Sequence, residues 1–289
     1  MQFFKSKESV GIFYAIFAYL CFALLDTIQK TLIVYYVVFQ ILLIKYSFTL
    51  LISFFESWRK KNYKIYKTYS LKLQILRSLL SALESGCFVL AFRYLSLADA
   101  HSIAALTPLI VVIFSVIFLK ELVTFKIWIA IFIGFFGVLI IMRPGFSVFD
   151  SSAMIPLLGA LFLALYQIVT RKVSQYDSNE ISLFFTSLVG VITMGILSVF
   201  FWEPIDKNFI IFFIGIGIFY SLGLYSQIIA LSRARASIIQ PFHYTLIFWA
   251  IILGYIFYDD LPDVPTLIGG LVITVSGIYT LYIKEQNSY

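Results

Sequence analysis

The chain has 289 residues, of which 61% are hydrophobic and 12% charged, and a formal net charge of +6. So little polar surface cannot cover a water-facing sphere, which excludes a soluble globular domain. The basic residues lie mainly in the loops between apolar runs, a pattern of membrane orientation that argues against a nucleic-acid partner.

Crossing a bilayer core of about 30 Å takes roughly 20 residues of helix. Ten segments meet that need: Ser9–Lys30, Val34–Phe55, Leu71–Tyr94, Ala98–Leu119, Phe125–Met142, Ala153–Arg171, Ile181–Trp202, Asn208–Leu231, Ala236–Tyr258 and Val264–Ile283. Without water in the hydrocarbon, each segment must satisfy its own backbone hydrogen bonds, so the predicted fold is an all-α polytopic membrane protein with ten transmembrane helices. Lys5 and Lys7 precede the first segment, yet its apolar run exceeds that of a secretory signal and no small-residue cleavage site precedes Asp26. Between the second and third segments, Trp58–Gln74 interleaves basic and aromatic residues and is expected to rest on anionic headgroups. Cys21 and Cys87 sit inside apolar segments and read as small buried hydrophobes.

Loop charge gives the orientation. The side bearing the N-terminus carries fifteen Lys and Arg residues, among them Arg59, Lys60, Lys61, Arg171, Lys172, Arg233 and Arg235. The other side has four: Lys30, Arg93, Arg143 and Lys207. Both termini are therefore expected in the cytoplasm.

The chain also resembles itself. Asp26 and Lys30 align with Gln167 and Arg171, Ala91 with Ala230, Glu121-Leu122 with Asp260-Leu261 and Gly137 with Gly277, at an offset of 139 to 141 residues. Five helices per copy make the second copy enter from the opposite face, giving two inverted five-helix repeats at 1–142 and 153–289. Residues 143–152, a polar stretch with Pro144 and Gly145, read as the linker. Such a pair of halves can exchange conformations about a central site.

Ala91–Ala100 (AFRYLSLADA) running into Ala105–Leu109 (ALTPL), then Leu119–Leu122 (LKEL), Ile133–Val138 (IGFFGV) and Arg143–Gly145 (RPG) carry a wider likeness. A variant returns as Asp259–Asp263 (DDLPD) and Ile268–Tyr279 (IGGLVITVSGIY). In order and spacing these motifs make the chain similar to the ten-helix, EamA-type members of the drug/metabolite transporter superfamily. The resemblance implies secondary active transport of a small organic solute, amino-acid, vitamin or nucleoside-like, across a bacterial inner membrane, with the cavity lined by helices 1, 3, 4, 6, 8 and 9 and helices 5 and 10 peripheral. It does not choose solute, direction or coupling ion, and a homodimer is left open. Pro108 and Pro241 fall at different repeat positions, so a pivot built on proline need not be symmetric.

Charged and polar residues inside apolar helices are costly unless they face protein or water, and they mark candidate sites. Asp26 either pairs with Lys30 one turn on or contacts solute or proton. Lys45 and Glu84 lie at equal depth and are expected to form a buried ion pair, in which Glu84 trades a proton for solute or for its bond with Lys45. Arg77 either recognises a solute carboxylate or snorkels to headgroups. Gln167 takes the place of Asp26 in the second copy but cannot ionise. His243, with Gln240 one turn before it, is a weaker candidate, and His101 weaker still. Tyr166, Tyr225, Tyr244 and Trp249 are aromatic candidates for stacking on a planar or cationic solute. The glycines Gly134, Gly137, Gly269, Gly270 and Gly277 suit close helix packing.

The sequence holds no H-E-x-x-H, G-x-S-x-G or Walker motif and no clustered Cys and His, so neither cofactor nor metal is expected. A passive pore, or an enzyme acting on lipid within the membrane, remains as the alternative reading.

Overall fold

The computed structural model describes residues 7–59, 61, 64–95, 97–142 and 154–258, and beyond them 264–265, 268–269, 271–272, 275–276 and 279. The linker expected at 143–152, the acidic pair at 259–260 and the residues from 280 onward lie outside the described residues. Eleven helices lie within the described residues: α1 (Lys7–Leu32), α2 (Val38–Arg59), α3 (Leu71–Tyr94), α4 (Leu97–Ala104), α5 (Thr107–Leu119), α6 (Phe125–Met142), α7 (Met154–Val173), α8 (Asn179–Ser198), α9 (Ile210–Arg233), α10 (Ala236–His243) and α11 (Thr245–Tyr258). The described residues between 264 and 279 are helical as well, and no strand occurs among the described residues. The protein is thus an all-α polytopic membrane protein. Outward-facing Phe13, Leu51, Phe54, Leu83, Ile117 and Phe136 give the bundle an apolar rim suited to lipid.

Two predicted spans are each broken in two. The fourth unwinds at Ala105 and Leu106 between α4 and α5, and the ninth at Tyr244 between α10 and α11. At the first break Pro108, in the opening turn of α5, has no N–H to give the carbonyl of Ala104. At the second, Pro241 lies inside α10 and not at the break. The breaks nevertheless fall at matching places, since the repeat offset carries residue 105 to 244. The breaks are symmetric although the prolines are not.

The halves interlock by antiparallel pairing. In α1 and α9, Gly11 lies on Ala234 and Phe22 on Gly223; in α3 and α7, Gly159 lies on Cys87 and Phe88 while Arg77 reaches Tyr166. Exchanging the copies turns the first pair into the second, and it turns the contact of α2 with α8 into itself. Glycine makes these approaches possible: a Cβ at Gly190 would overlap the ring of Tyr46, one at Gly217 the ring of Phe48, and one at Gly134 the ring of Tyr244. The hydroxyl of Tyr244 donates to the Ile131 carbonyl at 3.2 Å, and Ser276 donates to Ala130 at 2.6 Å, fixing the fifth span against the ninth and tenth.

Each end of the bundle carries an equivalent aromatic tie. At the basic end Tyr69 stacks on Tyr176 with centroids 4.6 Å apart. Beside them Asp177 accepts bonds from Thr68, from the Tyr69 N–H at 2.8 Å and from Gln74 at 2.8 Å. The end of the Trp58–Gln74 loop is therefore docked on the second half, whereas Trp58 and Tyr66 remain exposed. At the opposite end Tyr36 meets Phe209 at 5.6 Å, and the repeat offset carries Tyr69 to 209 and Tyr176 to 36. Gln40 bonds both backbone groups of Glu203 there, at 2.7 and 3.1 Å.

Candidate functional site

A cavity with about 700 Å³ of empty space, its mouth included, lies between the halves. Its walls come from α1 (Tyr19, Phe22, Asp26, Gln29), α2 (Lys45), α3 (Ser81, Glu84, Ser85, Phe88), α4 (His101), α7 (Tyr166), α9 (Tyr220, Gln227) and α10 with the start of α11 (His243, Leu246). The second span therefore joins the six expected ones through Lys45, and α6 supplies no lining residue.

Lys45 is buried in α2, whose next residue, Tyr46, packs on Gly190. Its ammonium lies over the Tyr220 ring, 4.3 Å from the centroid. The expected direct ion pair with Glu84 does not form: among the described residues no carboxylate lies within ion-pair distance of Lys45, and Glu84 accepts instead from the Ser85 hydroxyl at 3.1 Å. Equal depth in two helices fixes height and leaves azimuth free, and the azimuth of Lys45 points it at α9. Both charges face the cavity.

Asp26 reaches across to α4, where His101 Nε2 is 3.3 Å from its Oδ2. His101 is thus a lining residue held between Asp26 and the rings of Phe88 and Phe92. His243 also lines the cavity, with its ring 4.9 Å from Tyr19. Tyr166 lines it from α7. In sum, Asp26, Lys45, Glu84, Tyr166 and His243 are brought together.

The other candidates are not on its wall. Arg77 is fully enclosed and spans from α3 to α8, donating to the Ser182 carbonyl, the Thr186 hydroxyl, Gln74 Oε1 at 3.2 Å and the Tyr166 hydroxyl at 3.5 Å. It neither snorkels nor meets the cavity, because hydroxyls of the second half surround it first. Tyr225 turns away to donate to Glu180 at 3.0 Å. Tyr244 is taken up by the packing on Gly134, and Trp249 packs on the cluster around Ile12, Val111 and Phe242. Gln167 is sealed, its Oε1 accepting from Gln240 Nε2 at 2.8 Å.

Sequence reading missed Tyr19, Gln29, Ser81, Tyr220 and Gln227 as lining residues. Spacing offers a partial signal for α1, where Phe22, Asp26 and Gln29 recur on one helical face.

Below the cavity at the basic end, Glu121 joins the halves. Its carboxylate accepts from the N–H groups of Ala236 and Ser237 at 3.1 and 3.2 Å and from the Ser237 hydroxyl at 2.8 Å, capping the start of α10. Arg171 lies 3.6 Å from the same carboxylate and donates to the Leu231 carbonyl at 2.8 Å.

Comparison with known proteins agrees with this architecture. The model of the EamA-like transporter family matches twice, over residues 9–143 and 151–283. The pseudopaline exporter of Pseudomonas aeruginosa is 27% identical over 206 residues, covering 71% of this chain and 72% of its own. The S-adenosylmethionine uptake transporter of Rickettsia conorii is 23% identical over 215 residues, covering 74% of this chain and 73% of its own. A protein of known crystal structure superposes with a TM-score of 0.78 at 14% identity over 98% of this chain and 99% of its own, a likeness of fold alone.

Proposed function

The chain belongs to the EamA-like transporter family, and on that premise we propose that it is a secondary active transporter that moves a small organic metabolite by alternating access. The observation that carries the reading is the cavity between the halves, into which Asp26, Glu84, Lys45, His101 and His243 all face. Five ionisable groups at the centre of a membrane bundle are costly to keep and suit a polar or charged cargo. The pairing of α1 with α9 and of α3 with α7, together with matched breaks in the fourth and ninth spans, supports two inverted halves that rock about the site. The halves are 1–142 and 153–289, joined through 143–152.

Relatives include both an exporter and an importer, so the family leaves direction open. The reading is tested with purified protein in liposomes loaded with a pooled metabolite library. Saturable counterflow of one component is expected; flux that rises linearly with concentration would make the protein a pore, and chemical turnover without solute movement would make it an enzyme.

The basic end is proposed to face the cytoplasm of an inner membrane, with both termini there. A reporter fused after Lys284 is expected to be active only inside the cell, and a cysteine placed at Lys61 to resist labelling from outside intact cells. The reverse pattern inverts the assignment.

A further inference from the structure

The two copies of the repeat place different chemistry at equivalent positions. An offset of 141 carries Asp26 to Gln167 and Gln29 to Thr170, and one of 139 carries His101 to Gln240. The equivalence is structural as well as sequential. Asp26 on α1 meets His101 on α4 at 3.3 Å, and Gln167 on α7 meets Gln240 on α10 at 2.8 Å. Each pair ties the first segment of a broken span to the first helix of its own copy, and each stands four residues before the break, at 105 and at 244.

Their settings differ. Asp26, Gln29 and His101 line the cavity, whereas Gln167, Thr170 and Gln240 are wholly buried and off its wall. The buried pair is incompletely bonded, as the lining set is: Gln167 Nε2 and Gln240 Oε1 have no hydrogen-bond partner among the described residues, and neither have Gln29 Nε2 and His101 Nδ1. Orphaned amide groups in a dry interior cost free energy, and the two left on this hydrogen-bonded pair suit a surface that meets a ligand in another arrangement.

We propose that Gln167, Thr170 and Gln240 are the solute contact of the opposite-facing state, the neutral counterpart of Asp26, Gln29 and His101. The proposal rests on the alternating-access reading, because exchange of the two halves brings the second set to the cavity wall as it buries the first. The spare groups are the Gln167 amide nitrogen, a donor, and the Gln240 amide oxygen, an acceptor, which fit an uncharged group that both donates and accepts, such as a hydroxyl or carboxamide. The cargo therefore carries such a group, and it leaves an ionisable contact on one side of the membrane for an amide contact on the other.

Glu121 supplies the means of testing this, since it ties the first half to α10 and Arg171 of the second at the basic end. In protein with Cys21 and Cys87 replaced by alanine, Thr170→Cys and, separately, Gln29→Cys are labelled in lipid nanodiscs with a small trimethylammonium methanethiosulfonate. Glu121→Ala removes charge-assisted bonds and is expected to raise the Thr170→Cys rate about tenfold while lowering the Gln29→Cys rate. Opposite movement of the two rates is the signature of exchange. A Thr170→Cys rate that stays constant, or two rates that rise together as general loosening would make them, overturns the proposal. If Glu121→Ala does not fold, Ser237→Ala removes one of the donors to that carboxylate and carries the same expectation with a smaller factor. Opposed rates without saturable counterflow would sink the transport reading, and the solute contact with it, while leaving the exchange of the two sets standing; saturable counterflow with unresponsive rates would sink this proposal alone.

Discussion

Lys45→Ala is expected to lower kcat/KM for saturable counterflow by about 100-fold while leaving the protein folded. Lys45 is the one lysine or arginine on the cavity wall among the described residues, where Asp26 and Glu84 supply two carboxylates. Its ammonium rests on the Tyr220 ring and is not spent on an ion pair, so it is available to a solute anion and holds the local charge near balance. Removing it takes away a contact and leaves two carboxylates facing each other in a poorly solvated space. The fold should tolerate this because the lost atoms border the cavity and leave no new void in the packed interior. Counterflow by the variant at the parental kcat/KM would remove Lys45 from the site.

Arg77→Ala is expected to act in the opposite way, by unfolding. Four groups on three helices converge on its guanidinium, and none of it is exposed. Hydrogen bonds to a charged group contribute about 1.5–3 kcal/mol each, and they are not additive, so a loss of about 3 kcal/mol is reasonable. On the scale known for domains of 150–250 residues, that corresponds to a fall in Tm of about 10 °C. Thermal unfolding in detergent measures it. A parental Tm combined with lost transport would return Arg77 to the list of solute contacts.

The contrast between these two cations shows where sequence reading stops. Apolar length placed the spans well: Leu71–Tyr94 agrees with α3 to the residue, and the start of Phe125–Met142 with that of α6. It was blind to the breaks in the fourth and ninth spans, because Ala105, Leu106 and Tyr244 can unwind without changing how apolar the segment is. The charged residues were visible for a related reason, standing out against hydrocarbon-like surroundings. What each faces was not visible. Rotation about the helix axis sends Lys45 to Tyr220 and not to Glu84, and Arg77 to the Ser182 carbonyl and the Thr186 hydroxyl, which leave no mark on a hydropathy profile. His101 looked minor because a lone histidine usually is; its partner Asp26 lies 75 residues away in another helix.

The glycine contacts constrain how such a chain can change over generations. Gly190 gives room to Tyr46, Gly217 to Phe48, Gly223 to Phe22 and Gly134 to Tyr244, and in every case the space lies in one copy and its occupant in the other. A mutation that enlarges one of these glycines is tested against a ring encoded about 110 to 200 residues away, so neither copy can drift alone. Selection then favours complementarity between the copies over likeness within them. That accounts for a repeat so faint in the letters and so plain in the packing.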